Sequence, residues 1–118
     1  MSIREHTLKY PNAGRCDNWV IIFMNGGDPH YRLLMGTSGG YTSGDSWQIN
    51  SGVTAVEEDE YYFYFHGASG SVYACNKESY MLRMNNAHIW ARLQHEQGDK
   101  VQMMDEETDW MNHDWIIS

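Results

Sequence analysis

A mainly β domain, α+β at most, is the fold class that the sequence predicts: a small, strongly bent antiparallel sheet or barrel with one short C-terminal helical turn. Eight Tyr, five Trp and eleven Gly stand against only two Pro in 118 residues. Most of the aromatic residues occur in short runs, which a pleated strand accommodates better than a helix does. Turns rich in Gly, Asn and Asp separate these runs at close spacing, as is typical of short antiparallel strands.

The first half of the chain contains the strongest predicted strand. Residues 19–24 are apolar at every position, which indicates a central strand that is covered on both faces. A turn over residues 25–29 leads into a returning strand over residues 31–35. Residues 36–44 hold so many glycines that we predict a loop with a mobile backbone, the kind of segment that often binds ligands. A short strand over residues 8–10 precedes these elements.

Short strands separated by turns continue through the second half of the chain. In residues 61–66 six aromatic rings follow one another, and a strand places alternate rings on opposite faces. Asn85 and Asn86 are predicted to form a turn, as are residues 97–99. The predicted strands cover residues 47–49, 53–56, 61–66, 72–75, 80–84, 88–93 and 101–104.

The C-terminal segment is predicted to be a helical turn followed by an edge strand. Asp105 can cap one turn of helix, and Glu106 and Glu107 stand where the positive end of its dipole favours carboxylates. Residues 115–117 have the bulk of a strand. Because the segment is rich in tryptophan, we expect it to be fixed in a core or a pocket, with Trp115 in the core.

The length of 118 residues predicts one domain spanning residues 1–118. The sequence has no run of eighteen apolar residues, and its first residues lack the pattern of a signal peptide, so we expect a soluble protein of the cytoplasm with no membrane partner. Cys16 and Cys75 leave two interpretations open. They form a disulfide, or in a reducing compartment they are small buried hydrophobic residues.

Sixteen acidic residues against eight basic ones give a formal charge of −8. Such a charge repels polyanions, so no direct binding of nucleic acid is expected. The acidic residues gather at residues 57–60 and 105–107, together with Asp109 and Asp114, and a solvated hairpin turn and a helix start account for both clusters. Two further interpretations are carboxylates that imitate phosphates and a small cationic pocket in an acidic exterior.

No motif in the sequence indicates an enzyme, a cofactor or a metal site. Residues 36–40 match the Gly-x-Ser-x-Gly pattern of serine hydrolases, but that motif requires a strand before it, a helix after it and a large α/β sheet. The six histidines fit no dense ligand spacing. His88 and His95 would point to opposite faces of a strand.

A nucleotide site is predicted from a glycine turn, aromatic planes and isolated cations. The turn over residues 67–71 offers backbone N–H groups and two hydroxyls for a phosphate. Indole faces can stack on a base, and an arginine fork can bind a pyrophosphate. Core tryptophans, solvated arginines and ordinary turns are the structural alternatives. The predicted ligand-binding residues are Trp19, Ser69, Ser71, Arg83, Asn85, Asn86, Trp90, Arg92, Asp109, Trp110 and Asp114.

Residues 98–118 resemble the ending of a known family. A Gly-Asp turn at Gly98, a strand, and then Thr108-Asp109, followed after four residues by Asp114-Trp115-Ile116-Ile117, are similar to the second Thoeris anti-defence family of bacteriophage proteins. Arg15 and Trp19, ahead of the apolar run, resemble the start of an early strand in that family. The resemblance implies a small, oligomeric, largely β protein of the infected bacterial cytoplasm. Such a protein is a sponge that sequesters a cyclic ADP-ribose-type immune signal without cleaving it.

Two other functions remain open from the residues. An acidic inhibitor of a host defence nuclease, of the anti-CRISPR or anti-restriction kind, would imitate DNA with carboxylates in two rows at phosphate spacing. An interaction module would use its Tyr and Trp side chains as anchors on a protein partner.

Overall fold

The computed structural model describes residues 10, 13–16, 18–40 and 44–115 of the chain. These residues form eight strands and one α-helix. The helix, α1, is Met84–Gln97, and a 3-10 turn over Gly98–Lys100 follows it. The strands are β1 (Gly14–Cys16), β2 (Asn18–Met24), β3 (His30–Gly40), β4 (Gly44–Ile49), β5 (Val53–Glu58), β6 (Tyr62–Gly67), β7 (Val72–Asn76) and β8 (Val101–Met103).

The strands form two four-stranded sheets that share one core. Sheet I has the strand order β1-β7-β6-β5, and sheet II has the order β4-β3-β2-β8. β1 and β7 run parallel, whereas the other paired strands of the two sheets run antiparallel. The prediction of a mainly β fold is confirmed, and the sheets are layered rather than closed into a barrel.

The apolar run of β2 is buried on both sides of sheet II. Trp19 and Ile21 face the core between the sheets, and Val20 and Ile22 face the layer under α1. All four are at most 1% exposed. Because β3 and β8 flank this strand, the prediction of a central, doubly covered strand is confirmed.

The aromatic run of β6 alternates between the two faces of sheet I. Phe63 and Phe65 lie on the inner face, against the shared core. Tyr62 and Tyr64 lie on the outer face, where Tyr10 packs against Tyr64. The predicted strand is therefore confirmed, with one aromatic layer on each side of the sheet.

The helix α1 takes the place of one predicted strand, and an irregular segment with a single bridge between Tyr80 and Trp19 takes the place of another. The strands expected over residues 80–84 and 88–93, and the turn expected at Asn85 and Asn86, are wrong. Ile89 and Leu93 stand one helical turn apart and pack on the outer face of sheet II. The Asn86 side-chain oxygen accepts the backbone N–H of Arg83 at 2.8 Å, which stabilises the first turn of the helix.

The glycine-rich residues 36–40 and the acidic residues 105–107 also differ from their predicted structures. Residues 36–40 continue β3 instead of starting a loop, and residues 41–43 lie outside the described residues. Instead of a helical turn, Asp105 starts a hydrogen-bonded turn in which its carboxylate accepts the backbone N–H of Glu107 at 2.8 Å. Most of the strand predicted at residues 8–10 also lies outside the described residues.

The C-terminal tryptophans belong to the core between the sheets. Trp115 is 7% exposed, which confirms its prediction as a core residue. Its indole N–H donates to the backbone oxygen of Trp110 at 3.2 Å, and the two rings stack with centroids 5.9 Å apart. Residue 115 is not in a strand, and the rest of the predicted edge strand lies outside the described residues.

Candidate functional site

A cleft opens where the parallel strands β1 and β7 begin, and we call it the β1–β7 cleft. Its volume of about 430 Å³ lies in the range of small-molecule sites. One wall is the start of the two strands, and the other is the turn that precedes β7. The lining residues are Tyr10, Ala13, Gly14, Gly70, Ser71, Val72 and Tyr73.

The turn beside the cleft is the glycine–serine turn predicted from the sequence. The backbone N–H groups of Gly67 and Gly70 donate to the oxygens of Ser71 and Gly67 at 2.8 and 3.0 Å, and those of Ala68 and Ser69 donate to the Gly52 oxygen and the Ser51 hydroxyl at 2.8 and 3.2 Å. Because these four N–H groups already have partners within the protein, the expectation that they bind a phosphate is wrong. Gly70 has a φ of +93°, a conformation that favours glycine. Ser69 and Ser71 are both exposed, but Ser71 lines the cleft whereas Ser69 is absent from the described lining.

Two tyrosine rings form the aromatic part of the cleft. Tyr10 packs edge-on against Tyr64 and His66, with ring centroids 5.5 and 5.4 Å away, and its hydroxyl donates to the Glu57 carboxylate. Tyr73 covers Gly14 so closely that a Cβ at residue 14 would lie 3.0 Å from its ring. The Tyr73 hydroxyl also accepts a hydrogen bond from Gln48 at 3.2 Å. These contacts hold both rings in place before any ligand arrives.

The described lining of the cleft is mostly apolar and aromatic, with Ser71 and the tyrosine hydroxyls as its polar groups, and it holds no charged side chain. Arg15 follows Gly14 in β1 and is exposed. On the outer face of sheet I, the Glu57 carboxylate lies 2.7 Å from the His66 ring nitrogen. The cleft therefore suits stacking and hydrogen bonding, with one cation adjacent in sequence to its wall.

Trp19 and Trp110 do not offer the open ring faces that the sequence suggested. They are 0% and 3% exposed, and both lie in the core between the sheets. The indole N–H of Trp19 donates to the Asn76 backbone oxygen at 2.8 Å, and its ring meets Tyr80 edge-on at 4.7 Å. Because neighbouring side chains cover these rings, the expected stacking role of both residues is corrected to a core role.

The candidate residues on α1 do not converge on one ligand. Asn86 is fully buried and supports the helix start, where Arg83 is the N-cap residue and Asn85 lies in the first turn. Trp90 packs against sheet II, whereas Arg92 is exposed. Residues that are two positions apart on a helix are separated by about 200° around its axis, so the side chains of Trp90 and Arg92 point in different directions.

The cleft and α1 also lie on opposite sides of the molecule. Residues of α1 cover the outer face of sheet II, whereas Tyr10, Ala13 and Val72 belong to the outer layer of sheet I. Among the predicted site residues with described side chains, Ser71 alone lines the cleft. Tyr10 and Tyr73 were not predicted, because no local motif marks them and the fold brings them together across the sheet.

Asp109 and Asp114 are exposed and flank the buried tryptophans of the C-terminal segment. The Asp109 carboxylate accepts a hydrogen bond from the Asn112 amide at 2.7 Å, which fixes a turn. Between them, His113 packs against Tyr31 and Trp115 with ring centroids 4.6 Å away in each case. Burial lowers the pKa of His113, and the nearby Asp114 charge opposes this effect.

A second groove of about 370 Å³ lies beside β8 and was not predicted. Tyr80 lines it, and its hydroxyl donates to the Met104 backbone oxygen. Burial raises the pKa of Tyr80 to about 12. The lining residues are Val20, Tyr80, Met81, Leu82, Met103, Met104, Asp105 and Glu106.

Comparisons with known proteins supply no relative for this chain. No protein-family model matches the sequence, and no significant match was found among curated proteins or solved structures. Within the described residues, no three His, Cys, Asp or Glu side chains come together as a metal site. In the same part of the chain, no helix is long and apolar enough to cross a membrane. The resemblance of residues 98–118 to the anti-defence family stays a prediction.

Proposed function

We propose that this protein is a non-catalytic sponge that sequesters a cyclic ADP-ribose-type nucleotide in the β1–β7 cleft. One observation carries the proposal: Ser71 of the glycine–serine turn lines a cleft of suitable size that also contains two tyrosine rings. The resemblance of residues 98–118 supplies the ligand class and the biological setting, a phage protein that counters bacterial immunity.

The lining chemistry supports binding of a nucleotide. A base stacked on Tyr10 or Tyr73 gains about 1–3 kcal/mol. The Ser71 hydroxyl lies where it can donate to a phosphate or a ribose oxygen. Ser71 is the one lining residue with an aliphatic hydroxyl, and the described lining holds no carboxylate, imidazole or amine that could activate it as a nucleophile. Retention without cleavage is therefore the expected outcome.

A sponge requires tight binding, and one open cleft supplies only part of it. Outcompeting a sensor at sub-micromolar ligand needs a dissociation constant near nanomolar, about −12 kcal/mol. We propose a homodimer or larger assembly, because a second subunit can close the cleft and add cations beside Arg15. An exterior with a charge of −8 would then disfavour nucleic acid while the closed cleft holds the signal.

The capture experiment uses the product mixture of an activated TIR-domain immune enzyme. Purified protein is incubated with the mixture, freed of unbound material and heated, and the released molecules are analysed by mass spectrometry. The proposal expects one intact cyclic nucleotide at a fixed ratio to protein. Release of only hydrolysed products would indicate an enzyme, and release of nothing would contradict the proposal.

Two serines of the same turn provide matched variants for this experiment. Ser71→Ala removes a hydroxyl that lines the cleft, whereas Ser69→Ala removes an exposed hydroxyl beside it. Loss of one hydrogen bond should raise the dissociation constant about 3- to 10-fold for Ser71→Ala and leave Ser69→Ala unchanged. Arg92→Ala on α1 should also bind normally. Equal effects of all three variants would place the ligand elsewhere.

An acidic inhibitor is the second candidate, and the exposure of its carboxylates favours it. Glu58 and Glu60 are exposed near one hairpin, and Glu106, Glu107 and Asp109 are exposed in the C-terminal turns. An inhibitor of this kind should bind a host defence nuclease tightly and in a salt-dependent manner. The paired change Glu106→Lys and Glu107→Lys should weaken that binding. The same changes should leave nucleotide capture intact.

A further inference from the structure

Cys16 and Cys75 form a buried thiol pair directly behind the β1–β7 cleft. They are register partners on the parallel strands β1 and β7, and their sulfur atoms lie 2.7 Å apart. Both are free thiols, with exposed fractions of 6% and 0%. The Cys16 thiol also lies 3.5 Å from the Ala74 backbone oxygen.

We propose that Cys16 and Cys75 are a redox modification site, at which a reversible disulfide joins β1 to β7. Neighbouring strands run about 4.8 Å apart, within the range of Cα separations that a disulfide spans. The two side chains already point at each other from paired positions. Formation of the bond therefore requires no change of strand register.

A small disulfide such as oxidised glutathione is the oxidant in this step. One cysteine thiolate attacks a glutathione sulfur, forms a mixed disulfide and releases one glutathione thiolate. The second cysteine thiolate then attacks the protein sulfur of that mixed disulfide and releases the other glutathione. The protein loses two electrons and two protons, and one glutathione disulfide becomes two glutathione thiols.

The fold determines which thiol reacts first and how fast. Burial raises the pKa of the Cys75 thiol, and the hydrogen bond with Cys16 acts in the same direction, so Cys75 is a poor first nucleophile. Cys16 lies at the end of β1, a strand of three residues at the edge of sheet I. Opening of this short strand exposes Cys16, so oxidation should be slow and limited by that opening.

The cross-link would act on the wall of the cleft. Gly14 and Tyr73 line the cleft, and they are register partners two residues before the cysteines on the same strands. A disulfide at the next inward-facing pair holds these two strands together and restricts the opening of β1. The inference does not depend on what the cleft binds.

The test equilibrates the intact protein in glutathione buffers of stepped redox ratio. After each incubation, free thiols are alkylated in denaturant and the protein is analysed by intact mass and peptide mapping. We expect both thiols to disappear in one transition, a peptide linking Cys16 to Cys75, and full reversal by a dithiol reductant. Amide exchange in β1 should become at least about tenfold slower in the oxidised form.

The variants Cys16→Ser and Cys75→Ser serve as controls, because each leaves one cysteine and should give no intramolecular link. A parallel sample of the natural sequence is refolded from denaturant in the same buffers, so that slow opening of β1 cannot hide the reaction. Recovery of two alkylated thiols, or of mixed and intermolecular disulfides alone, in both the native and the refolded samples would overturn the inference. Nucleotide is absent throughout, so this result is separate from that of the capture experiment.

Discussion

Asn50 takes the place of a strand residue just past the end of β4. Its backbone N–H donates to the Leu33 oxygen at 3.1 Å, and its side-chain oxygen accepts the Leu33 N–H at 2.8 Å. The residue is 4% exposed. A buried backbone N–H needs such a partner, so this amide completes the pairing of β3 where the neighbouring strand stops.

Asn50→Ala should therefore reduce the stability of the protein. The change leaves the buried N–H of Leu33 without its acceptor, at a cost of about 1–3 kcal/mol in the free energy of unfolding. Urea denaturation followed by tryptophan fluorescence measures this difference. Asn112→Ala is the control, because its amide also makes a hydrogen bond, to Asp109, but in an exposed turn where solvent replaces it, so stability should change by about 0.5 kcal/mol or less. Equal stabilities of the two variants would contradict the assigned role.

His113 should make stability depend on pH. Its pKa in the folded protein is lowered by burial below the ordinary value of 6.5, so the unfolded chain binds the proton more readily. The neutral ring contributes stability above the unfolded pKa, and this contribution is lost as the pH falls through the folded pKa. An NMR titration of the ring should give a midpoint below 6.5. A midpoint above it would show that Asp114 outweighs burial.

His113→Phe tests the same linkage through stability. The variant keeps an aromatic ring against Tyr31 and Trp115 but cannot bind a proton. Its free energy of unfolding relative to the natural sequence should increase as the pH falls from about 7.5 to about 5. A difference that stays constant over this interval would contradict the linkage.

At the level of elements, periodicity predicted β2 and β6 but not α1. The strands have apolar or aromatic residues at spacings that only a sheet buries well. In α1, Asn85 and Asn86 favour turns as much as helix starts, and the neighbouring Ile89 and Trp90 are residues that strands also favour. Packing on sheet II decides between these preferences, and a local pattern does not contain that information.

In the candidate site, residues of one local turn could be predicted from the sequence, whereas residues that the fold brings together could not. Turn chemistry identified Ser71, because glycine and serine in the 67–71 turn favour a tight reversal with free hydroxyls. Tyr10 and Tyr73 lie far apart in sequence and come together through the parallel pairing of β1 with β7. For Trp19 and Trp110 the residue type does not reveal whether the side chain points into the core or toward a ligand, since an indole suits a core as well as a binding surface.

The end of α1 depends on one glycine. Gly98 caps the helix with a φ of +57°, and a Cβ there would meet no atom within 4 Å. The substitution Gly98→Ala therefore tests backbone strain alone, and it should lower the free energy of unfolding by about 1 kcal/mol. Gly27→Ala is the matched control, because that residue has equal space and no positive φ. Chemical denaturation should give a lower free energy of unfolding for Gly98→Ala and an unchanged one for Gly27→Ala.

At the scale of the whole molecule, the C-terminal segment completes the core between the sheets. Trp115 contacts Phe65 of sheet I with ring centroids 5.8 Å apart and Tyr31 of sheet II at 5.4 Å. Trp110 lies between Trp115 and Trp19, 5.9 Å from the first and 6.0 Å from the second. The two sheets and this segment should therefore unfold together as one cooperative unit.

Trp115→Ala should cost about 3–5 kcal/mol in the free energy of unfolding, since it removes a large ring from a packed core. Such a loss is a large share of the stability of a small domain and should leave part of the protein unfolded at room temperature. Trp47→Ala is the control, because that ring is 43% exposed and should cost much less. Thermal unfolding by circular dichroism separates the two variants. Similar midpoints would show that the C-terminal segment is peripheral.

An NMR titration of ¹⁵N-labelled protein with cyclic ADP-ribose tests directly whether the β1–β7 cleft binds a nucleotide. Binding in the β1–β7 cleft should give saturable shifts at the amides of Gly70, Ser71 and Tyr73, with the ligand recovered intact and with little change at Trp90 and Arg92 of α1. Shifts confined to α1, or no saturable shift at any ligand concentration up to millimolar, would contradict the assignment of a nucleotide to the β1–β7 cleft.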